Sequence, residues 1–367
     1  MGIDRAYDRR TFLKFAGATA AIAACGGAAT ASPSPTTAAT SAATAAATAT
    51  PVTGTISVYS ALNESTNNEF FGAFKKVYPG VTVNVLPLAA AGELQTRIRT
   101  EKASPKADIF IGGSSEFHDP LGKEGLLEAY IAPNAKDIDA KFKEATGLWT
   151  GWYTGIFGFI SNNDRLAKEV GGKKPATWDD LLDPAWKGKL VLPSPVTTGG
   201  GYIFIATQIF RFGGGATGET KAMAFMKSLH ANVAQYVATS PGALTLIDQG
   251  QFVGCPNWAH DILTEKGKGN PIDLTIPTDT GFEVGAVSIV KGTKSLAAAQ
   301  ALVNWSITKE AGDLNVKLSN RGSTRTDVAP AAGSPKLSDV KLVNYDRQWA
   351  TDNKDRIIKL WQATVGL

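Results

Sequence analysis

From residue 55 onward, the hydrophobic positions of the chain alternate between strand-like and helix-like spacing. Residues 55–60 alternate as a half-buried strand does, and the apolar residues that follow recur at helical spacing, namely Phe70, Phe71, Phe74 and Val77. Residues 81–88, 91–103 and 107–113 predict a strand, a helix and a buried strand in turn. Strands that alternate with helices predict right-handed crossovers and a largely parallel sheet.

The pattern changes near residue 152, and the strand-like run at 155–163 is predicted to cross into a second domain. Residues 272–292 contain two further strand-like runs, which we interpret as the return crossing. Helical patterns dominate the alanine-rich sequence after them. The chain is therefore predicted to form an α/β protein with two lobes, one comprising 55–155 plus 281–367 and the other comprising 156–280.

The first 25 residues have the layout of an export signal. Their apolar run is too short for a bilayer span, which needs about 20 apolar residues. The pair Arg9-Arg10 resembles the twin-arginine export motif, and the stretch that ends at Cys25 resembles a lipobox, in which the cysteine thiol is lipidated. A buried amphipathic helix is the alternative. Residues 1–25 are predicted to be a twin-arginine lipoprotein signal.

Residues 26–54 contain no charged residue, no aromatic residue and no leucine or isoleucine. Such a segment buries too little apolar surface to offset the entropy of ordering, so it is predicted to be a disordered Ala/Thr/Ser/Pro tether. Signal and tether together predict an extracytoplasmic domain. Lipid on Cys25 would anchor it to the outer face of the cell membrane, in the periplasm or at the cell surface.

The composition is that of an ordinary globular protein and argues against several partners. Hydrophobic residues make up 43% and charged residues 19% of the chain, and the net charge is +4. No basic run with interleaved aromatic residues is present, so we expect no nucleic-acid partner. If Cys25 is lipidated, Cys255 has no partner for an intrachain disulfide. We expect a monomer.

Two stretches of the sequence resemble a known protein family. The stretch PATWDDLLDPAWKGKLVLPSPVTTGGGY (175–202) is similar to the Asp-Pro-x-Trp-Lys-Gly segment, strand and small-residue anion loop of extracellular solute-binding proteins of ABC importers. The stretch SNRGSTRTDV (319–328) resembles the family's Gly-x-x-Pro-x-x-x-x-Val segment, with Ser323-Thr324 near the usual proline. The resemblance covers residues 55–367. It points to the group that binds ferric iron, phosphonates, phosphosugars and polyamines.

This resemblance implies a two-lobed, type II periplasmic-binding-protein fold with mixed, mostly parallel sheets and two crossing strands as the hinge. It also implies a lipoprotein that captures a small solute between its lobes and delivers it to the permease subunits of an ABC importer. Hinged lobes can close around a ligand. Because open α/β sheets bind ligands beyond the carboxyl ends of their strands, the residues that follow each strand are the candidates.

The candidate ligand residues follow strands or begin helices: Ser60, Asn63, Ser114, Ser115, Tyr153, Thr197, Thr198, Gly199, Gly200, Ser240, Trp258 and Asp261. Hydroxyl and amide side chains at such positions also cap helices, so capping is the alternative role for several of them. Tyr153 could instead pack between the domains, and Asp261 could cap a helix or hold an ammonium group. Glu283, near the return crossing, is expected to be a solvated carboxylate.

The strongest candidate is the loop 197–201, which precedes a helix that is expected to start near Tyr202. A helix N-terminus presents unpaired N–H groups and a positive dipole end, which favour an anion. Glycines let the backbone approach a ligand closely. In the resembled family, this loop commonly binds the phosphate or carboxylate of the substrate. The predicted solute therefore carries an oxyanion and is an organophosphate, a phosphonate or a carboxylate.

Ferric iron, chelated or bridged by an anion, is the alternative solute. Relatives that bind it use two adjacent tyrosines, often with a histidine and a glutamate, but no two tyrosines are adjacent here. By motif order, the tyrosine pair would fall at Trp258-Ala259, which offer no phenolate. We expect no direct metal site and no cofactor, although a ferric complex of carbonate or citrate could dock on loop 197–201.

An enzyme and a purely structural surface lipoprotein are the remaining alternatives. The sequence lacks both the G-x-S-x-G and the H-E-x-x-H motif, and His118, His230 and His260 are its three histidines. Ser115 lies near His118 and Asp119 in sequence, but a catalytic triad depends on geometry rather than on adjacency. We therefore expect a binding protein and not an enzyme.

Overall fold

The computed structural model describes residues 51–88 and 91–367 of the chain. In this part, strands β1 to β11 span Gly54–Ser60, Val81–Pro87, Ile109–Ser114, Leu127–Glu128, Thr150–Asn162, Leu190–Pro193, Val233–Val237, Gly254–Trp258, Ile272–Thr275, Phe282–Val290 and Gly322–Ser323. Helices α1 to α11 span Glu64–Val77, Ala91–Thr100, Ser115–Lys123, Asn163–Glu169, Gly199–Arg211, Gly215–His230, Ser240–Asp248, Ala259–Lys266, Leu296–Ser306, Lys309–Ser319 and Arg347–Val365. None of the described helices is both long and apolar enough to cross a bilayer. The predicted signal, Cys25 and the tether as far as residue 50 lie outside the described residues.

The described strands form one mixed sheet, whose main path runs β2-β1-β3-β10-β5-β8-β6-β7. β1 pairs in parallel with β2 and β3, and β6 pairs in parallel with β7 and β8. Every recorded pairing of β5 and β10 is antiparallel. The predicted α/β class with a mixed sheet is confirmed, and its parallel pairs are those that helices connect.

Strand β5 links two parts of the hydrophobic core. Its residues 150–156 pair with β10, and its residues 157–161 pair with β8. Trp152 is buried in a core built mainly by α1, α9 and the strands around β1, whereas Phe157 is buried in a core built mainly by α5, α6 and β6. The neighbours of β5 therefore change at Phe157. The division into two lobes stays a prediction.

The C-terminal helix α11 packs against the second of these cores. Its buried residues Ala350, Ile357 and Trp361 recur at helical spacing, so they form one apolar stripe. The predicted assignment placed residues 281–367 together in the first lobe. By its packing, the end of that range lies against the core around Phe157, and the assignment of 281–367 to one lobe stays a prediction.

Local sequence signals explain several element boundaries. Thr177 and Asp180 form the predicted capping box at the start of a short 3₁₀ helix. Helix α5 begins at Gly199 rather than near Tyr202, because the Thr198 side chain caps it. Strand β7 is missing from the prediction, since a five-residue, half-exposed strand directly after a helix gives little periodic signal.

Candidate functional site

The first turns of α3 and α5 meet at the junction between the two cores. The Phe117 ring in α3 lies 3.8 Å from the position that a Cβ on Gly199 would occupy in α5. β3 leads directly into α3, and β6 precedes α5 with only the loop 194–198 between them. Two of the strand ends that the sequence singled out are therefore brought together, and the N-termini of α3 and α5 lie at one junction.

Gly200 lies among hydrogen-bond donors from three elements. A Cβ at this position would fall 3.2 Å from the Ser240 hydroxyl oxygen and 3.2 Å from the Trp258 indole nitrogen. The indole N–H can only donate, and the first N–H groups of a helix such as α5 have no intrahelical acceptor. Three predicted ligand residues thus converge on a spot that suits an anion.

The hydroxyls of Thr197 and Thr198 are used within the same loop. Thr197 Oγ1 donates to the carbonyl oxygen of Ala238 at 2.9 Å. Thr198 Oγ1 donates to the carbonyl oxygen of Ser194 at 2.8 Å and accepts from the backbone N–H of Gly201 at 2.9 Å. These bonds fix the shape of the glycine turn. Direct contact of either threonine with a ligand stays a prediction.

Ser60 and Asn63 both serve the start of α1. Ser60 Oγ donates to Asn67 Oδ1 at 2.6 Å and accepts from the backbone N–H of Leu62 at 3.2 Å. Asn63 Oδ1 accepts from the backbone N–H of Thr66 at 2.8 Å, as an N-cap does. Asn63 therefore caps the helix and Ser60 ties the end of β1 to it, while a ligand contact of either residue stays a prediction.

Helix α3 begins with polar groups that are buried without matching partners. Ser114 occupies its cap position but makes no side-chain cap bond, and Ser115 Oγ is buried with no hydrogen-bond partner among the described residues. The Glu116 side chain is 7% exposed, and its Oε2 also has no partner there. Burial raises the pKa of Glu116, while Arg347 opposes this rise. Buried polar atoms without a protein partner are candidates for hydrogen bonds with a bound molecule.

A second polar group lies where β5 and β10 pair. Glu283 pairs with Gly155, and a Cβ on that glycine would fall 2.8 Å from Glu283 Oε1. The Arg321 guanidinium lies 5.1 Å from the centroid of the Tyr153 ring. Burial raises the pKa of both Asp261 and Glu283, and the nearby Arg321 opposes that rise. We call Tyr153, Asp261, Glu283 and Arg321 the Arg321 cluster.

The expectation that Glu283 is a solvated carboxylate is wrong. Glu283 is 8% exposed, because strand pairing lays its side chain over Gly155 and inside the fold. Its burial raises the pKa to about 7. Arg321 is not among the predicted ligand residues, although it directly precedes the glycine of the family-like segment within 319–328. The available signal was Gly155 and Gly285, since glycines in paired strands leave room for large side chains opposite.

His260 contacts both the Gly200 region, through Trp258, and the Arg321 cluster, through Asp261. Its ring stacks on Trp258 with centroids 6.0 Å apart, and its Nε2 lies 3.5 Å from Asp261 Oδ1. His260 is 2% exposed, and neither ring nitrogen has a hydrogen-bond partner among the described residues. Burial lowers its pKa well below the usual value, and Arg321 adds to this effect. The neutral ring can therefore both donate and accept a hydrogen bond.

Ser115, His118 and Asp119 do not form a triad. His118 Nε2 donates to the carbonyl oxygen of Gly112 at 3.2 Å, and its Nδ1 accepts from the Ser288 hydroxyl at 2.7 Å. Burial lowers the pKa of His118 to about 3, so the ring stays neutral. Asp119 accepts instead from the Trp149 indole, which the structure places within hydrogen-bond reach. This histidine is a structural residue whose ring stacks on Phe110.

A cavity of about 780 Å³ lies beside β5. Thr154, Ile156 and Phe282 line it together with parts of the segment 334–347. Gly155 and His260 also line the cavity, so it borders the Arg321 cluster. None of the predicted ligand residues lines it. The candidate site therefore consists of the Gly200 region and the Arg321 cluster.

Comparison with known proteins identifies the family. The family model described as bacterial extracellular solute-binding protein matches residues 104–348. The chain belongs to this family. An uncharacterized protein from Haemophilus influenzae is 31% identical to this solute-binding protein over 288 residues, which are 76% of this chain and 81% of the relative.

Solved periplasmic binding proteins share the fold of this solute-binding protein. AfuA from Actinobacillus pleuropneumoniae, solved with fructose-6-phosphate bound, is 30% identical with a TM-score of 0.77, over 86% of this chain and 99% of AfuA. The periplasmic binding protein P5PA is 29% identical with a TM-score of 0.75, over 85% of this chain and 99% of P5PA. The predicted type II fold is therefore confirmed.

A Salmonella typhimurium relative is named for the binding of 2-aminoethylphosphonate. It is 24% identical over 316 residues, which are 83% of this chain and 89% of that protein. Together with the family match, these relatives show an extracytoplasmic solute-binding protein of an ABC importer, as predicted. Its partners are accordingly a small-molecule solute and the permease subunits.

Proposed function

We propose that this solute-binding protein captures a hydroxylated organophosphate, such as a sugar phosphate. In this proposal the oxyanion lies at Gly200 and the hydroxylated part lies at the Arg321 cluster. The observation that carries the proposal is the convergence of Ser240, Trp258 and the start of α5 on Gly200. Donors gathered from three elements around a glycine form a cradle that any larger residue would fill.

The Gly200 region suits a phosphate for two physical reasons. The N-terminus of α5 carries a partial positive charge of about half an elementary charge. Each hydrogen bond to a charged group contributes about 1.5–3 kcal/mol, and a phosphate has enough oxygens to accept from several donors at once. A neutral ligand would leave some of these donors unsatisfied, which carries a desolvation cost.

The Arg321 cluster suits hydroxyl groups better than an ammonium group. Arg321 donates, the carboxyls of Asp261 and Glu283 accept, and the neutral His260 ring can do either. Burial favours the uncharged forms of both carboxyls, which weakens their attraction for a cation. A sugar phosphate would use both ends of the site, in line with the fructose-6-phosphate bound to AfuA.

Ferric iron has less support as the solute. Among residues 51–88 and 91–367, no group of three or more His, Cys, Asp or Glu side chains could hold a metal ion. Tyr153 carries a phenol close to Glu283, but burial raises its pKa, so it resists forming a phenolate. Iron would therefore have to bind as a complex with a chelator such as citrate.

Isothermal titration calorimetry tests the proposal with fructose 6-phosphate, fructose, inorganic phosphate, 2-aminoethylphosphonate and ferric citrate. We expect fructose 6-phosphate to bind at least about 100-fold more tightly than fructose, since the phosphate forms at least two charge-assisted hydrogen bonds. Comparable affinities for the two sugars would contradict the anion site. If 2-aminoethylphosphonate or ferric citrate binds most tightly instead, that compound is the solute and the sugar phosphate is not.

We further propose that lipid on Cys25 anchors the protein to the outer face of the cell membrane. The family membership supports an extracytoplasmic place for the domain, and the Arg9-Arg10 pair and the stretch before Cys25 support this export route. The uncharged segment that follows would let the domain reach a permease in the same membrane.

A further inference from the structure

Lys354 of α11 is half-buried and takes part in none of the ion pairs of its helix. Those ion pairs use Asp352 with Lys123, Arg356 with Glu219 and Arg347 with Glu116. Burial lowers the pKa of Lys354, and the nearby carboxyls of Asp355 and Glu116 only partly oppose this effect. An unpaired buried charge is costly, and such charges are normally paired in folded proteins.

The ammonium lies at the junction of α3 and α5. Lys354 Nζ is 4.5 Å from the centroid of the Phe117 ring and 5.9 Å from that of the Tyr202 ring. Phe117 is in the first turn of α3, and Tyr202 is in the first turn of α5. Since the Phe117 ring also lies beside Gly199, Lys354 is next to the loop that we assign to the oxyanion.

Three positive features therefore meet at this junction: the N-termini of two helices and the Lys354 ammonium. Each helix N-terminus carries a partial positive charge, which makes a nearby cation unfavourable. Cation–π contacts with two aromatic rings offset only part of this cost. The arrangement lacks a negative charge of matching strength.

Glu116 is a nearby protein group that could supply this charge, but among the described residues it forms no ion pair with Lys354. Its Oε1 lies 4.0 Å from Arg347, its Oε2 has no hydrogen-bond partner among the described residues, and burial raises its pKa. Asp355, the other nearby carboxyl, is the next residue along α11 and does not pair with Lys354 either. A bound anion would supply a charge that pairs with the ammonium group.

We propose that Lys354 contacts the oxyanion of the bound solute and so makes the C-terminal helix part of the binding site. This inference rests on the proposed function, which places the oxyanion at Gly199 and Gly200. The Tyr202 hydroxyl donates to the carbonyl oxygen of Ala350, so α11 is fixed next to α5. The flexible four-carbon stem of the lysine lets Nζ turn from the aromatic rings toward the anion.

Three variants test this role: Lys354→Met, which removes the charge but keeps an unbranched stem, Lys354→Arg, which keeps the charge, and Lys359→Met as the control. Lys359 is exposed on the same helix. Calorimetry with fructose 6-phosphate should show binding that is at least about tenfold weaker for Lys354→Met, the loss of one charge-assisted contact. Lys359→Met should match the wild type within about twofold, and Lys354→Arg should recover most of the loss.

A second measurement uses the simple anions phosphate and sulfate. The melting temperature of the wild type should rise when either replaces chloride at equal ionic strength, and that of Lys354→Met should not. If the wild type and Lys354→Met bind fructose 6-phosphate equally, the role of Lys354 is contradicted while the proposed function stands. If no phosphorylated solute binds but phosphate still stabilises only the wild type, the solute class is wrong and Lys354 remains an anion contact. If neither assay responds to anions, both proposals are wrong.

Discussion

The Glu283 carboxylate lies over Gly155 on the neighbouring strand, so closely that a Cβ on Gly155 would fall 2.8 Å from Oε1. The two residues are paired partners in β10 and β5. This contact places a buried carboxyl two residues before β5 passes from one core to the other at Phe157. The absence of a side chain at position 155 is therefore a condition for the Arg321 cluster.

Replacing Gly155 by alanine should displace the Glu283 side chain. We expect fructose 6-phosphate to bind about tenfold more weakly, and the free energy of unfolding to fall by about 1–3 kcal/mol, as overpacking typically costs. Calorimetry and urea unfolding measure the two effects.

Gly72→Ala is the matched control, because a Cβ at this position in α1 meets nothing within 4 Å. It should stabilise the helix by about 0.5–1 kcal/mol and leave affinity unchanged. Unchanged affinity in Gly155→Ala would mean that Glu283 does not touch the solute.

The stability of the unliganded protein should depend on pH through Glu283. Burial raises the pKa of its carboxyl from 4.5 in the unfolded chain to about 7 in the folded protein. The folded state thus holds the proton more tightly, so this contribution to stability is complete below about pH 4.5 and is lost as the pH rises to about 7. Glu283→Gln removes this titration.

Urea unfolding between pH 4.5 and pH 8 checks this prediction. The free energy of unfolding should fall less steeply with pH in Glu283→Gln than in the wild type. Glu69→Gln, which changes an exposed glutamate in α1, serves as the control and should keep the wild-type slope. Parallel curves for all three proteins would show that the Glu283 carboxyl does not titrate in this range.

Trp258→Phe tests the donor at Gly200 without removing the aromatic ring. The phenyl ring keeps the packing against Phe157, whose centroid is 5.0 Å from that of Trp258, but it has no N–H group. Loss of one charge-assisted hydrogen bond should weaken fructose 6-phosphate by about tenfold or more. Trp186→Phe, a buried tryptophan that packs on Phe159, is the control. Equal losses in both variants would indicate a general packing defect instead of a lost donor.

The export and anchoring predictions can be separated in cells. Replacing Arg9 and Arg10 by lysine should block export, since the twin-arginine pair is read by a receptor rather than by charge alone. Cys25→Ser should leave export intact but move the protein from the membrane fraction to the soluble extracytoplasmic fraction. Fractionation and immunoblotting give both results. Normal export of the double-lysine variant would mean that the arginines form only a charged leader region.

Part of the candidate site could be predicted from the order of elements. Gly200, Ser240 and Trp258 were named because they follow strands or begin helices, and the structure brings them together. Ser60 and Asn63 obey the same rule, but Ser60 bonds to the Asn67 side chain of α1 and Asn63 caps that helix. The rule locates the edge of a sheet correctly, but it does not say which side chains at that edge point toward a ligand and which bond to their own helix.

The sequence by itself determined the α/β class, the order of most strands and helices, the family and the glycine loop at α5. These features rest on interactions between residues that are close in the chain, such as periodic burial, capping and the geometry of a helix N-terminus. Only the tertiary structure decided that Glu283 is buried over Gly155, that Arg321 lies on Tyr153, and that α11 brings Lys354 to the α3–α5 junction. Each of these contacts joins segments that are far apart in sequence. Burial and charge pairing there depend on how the elements pack, which no local pattern records.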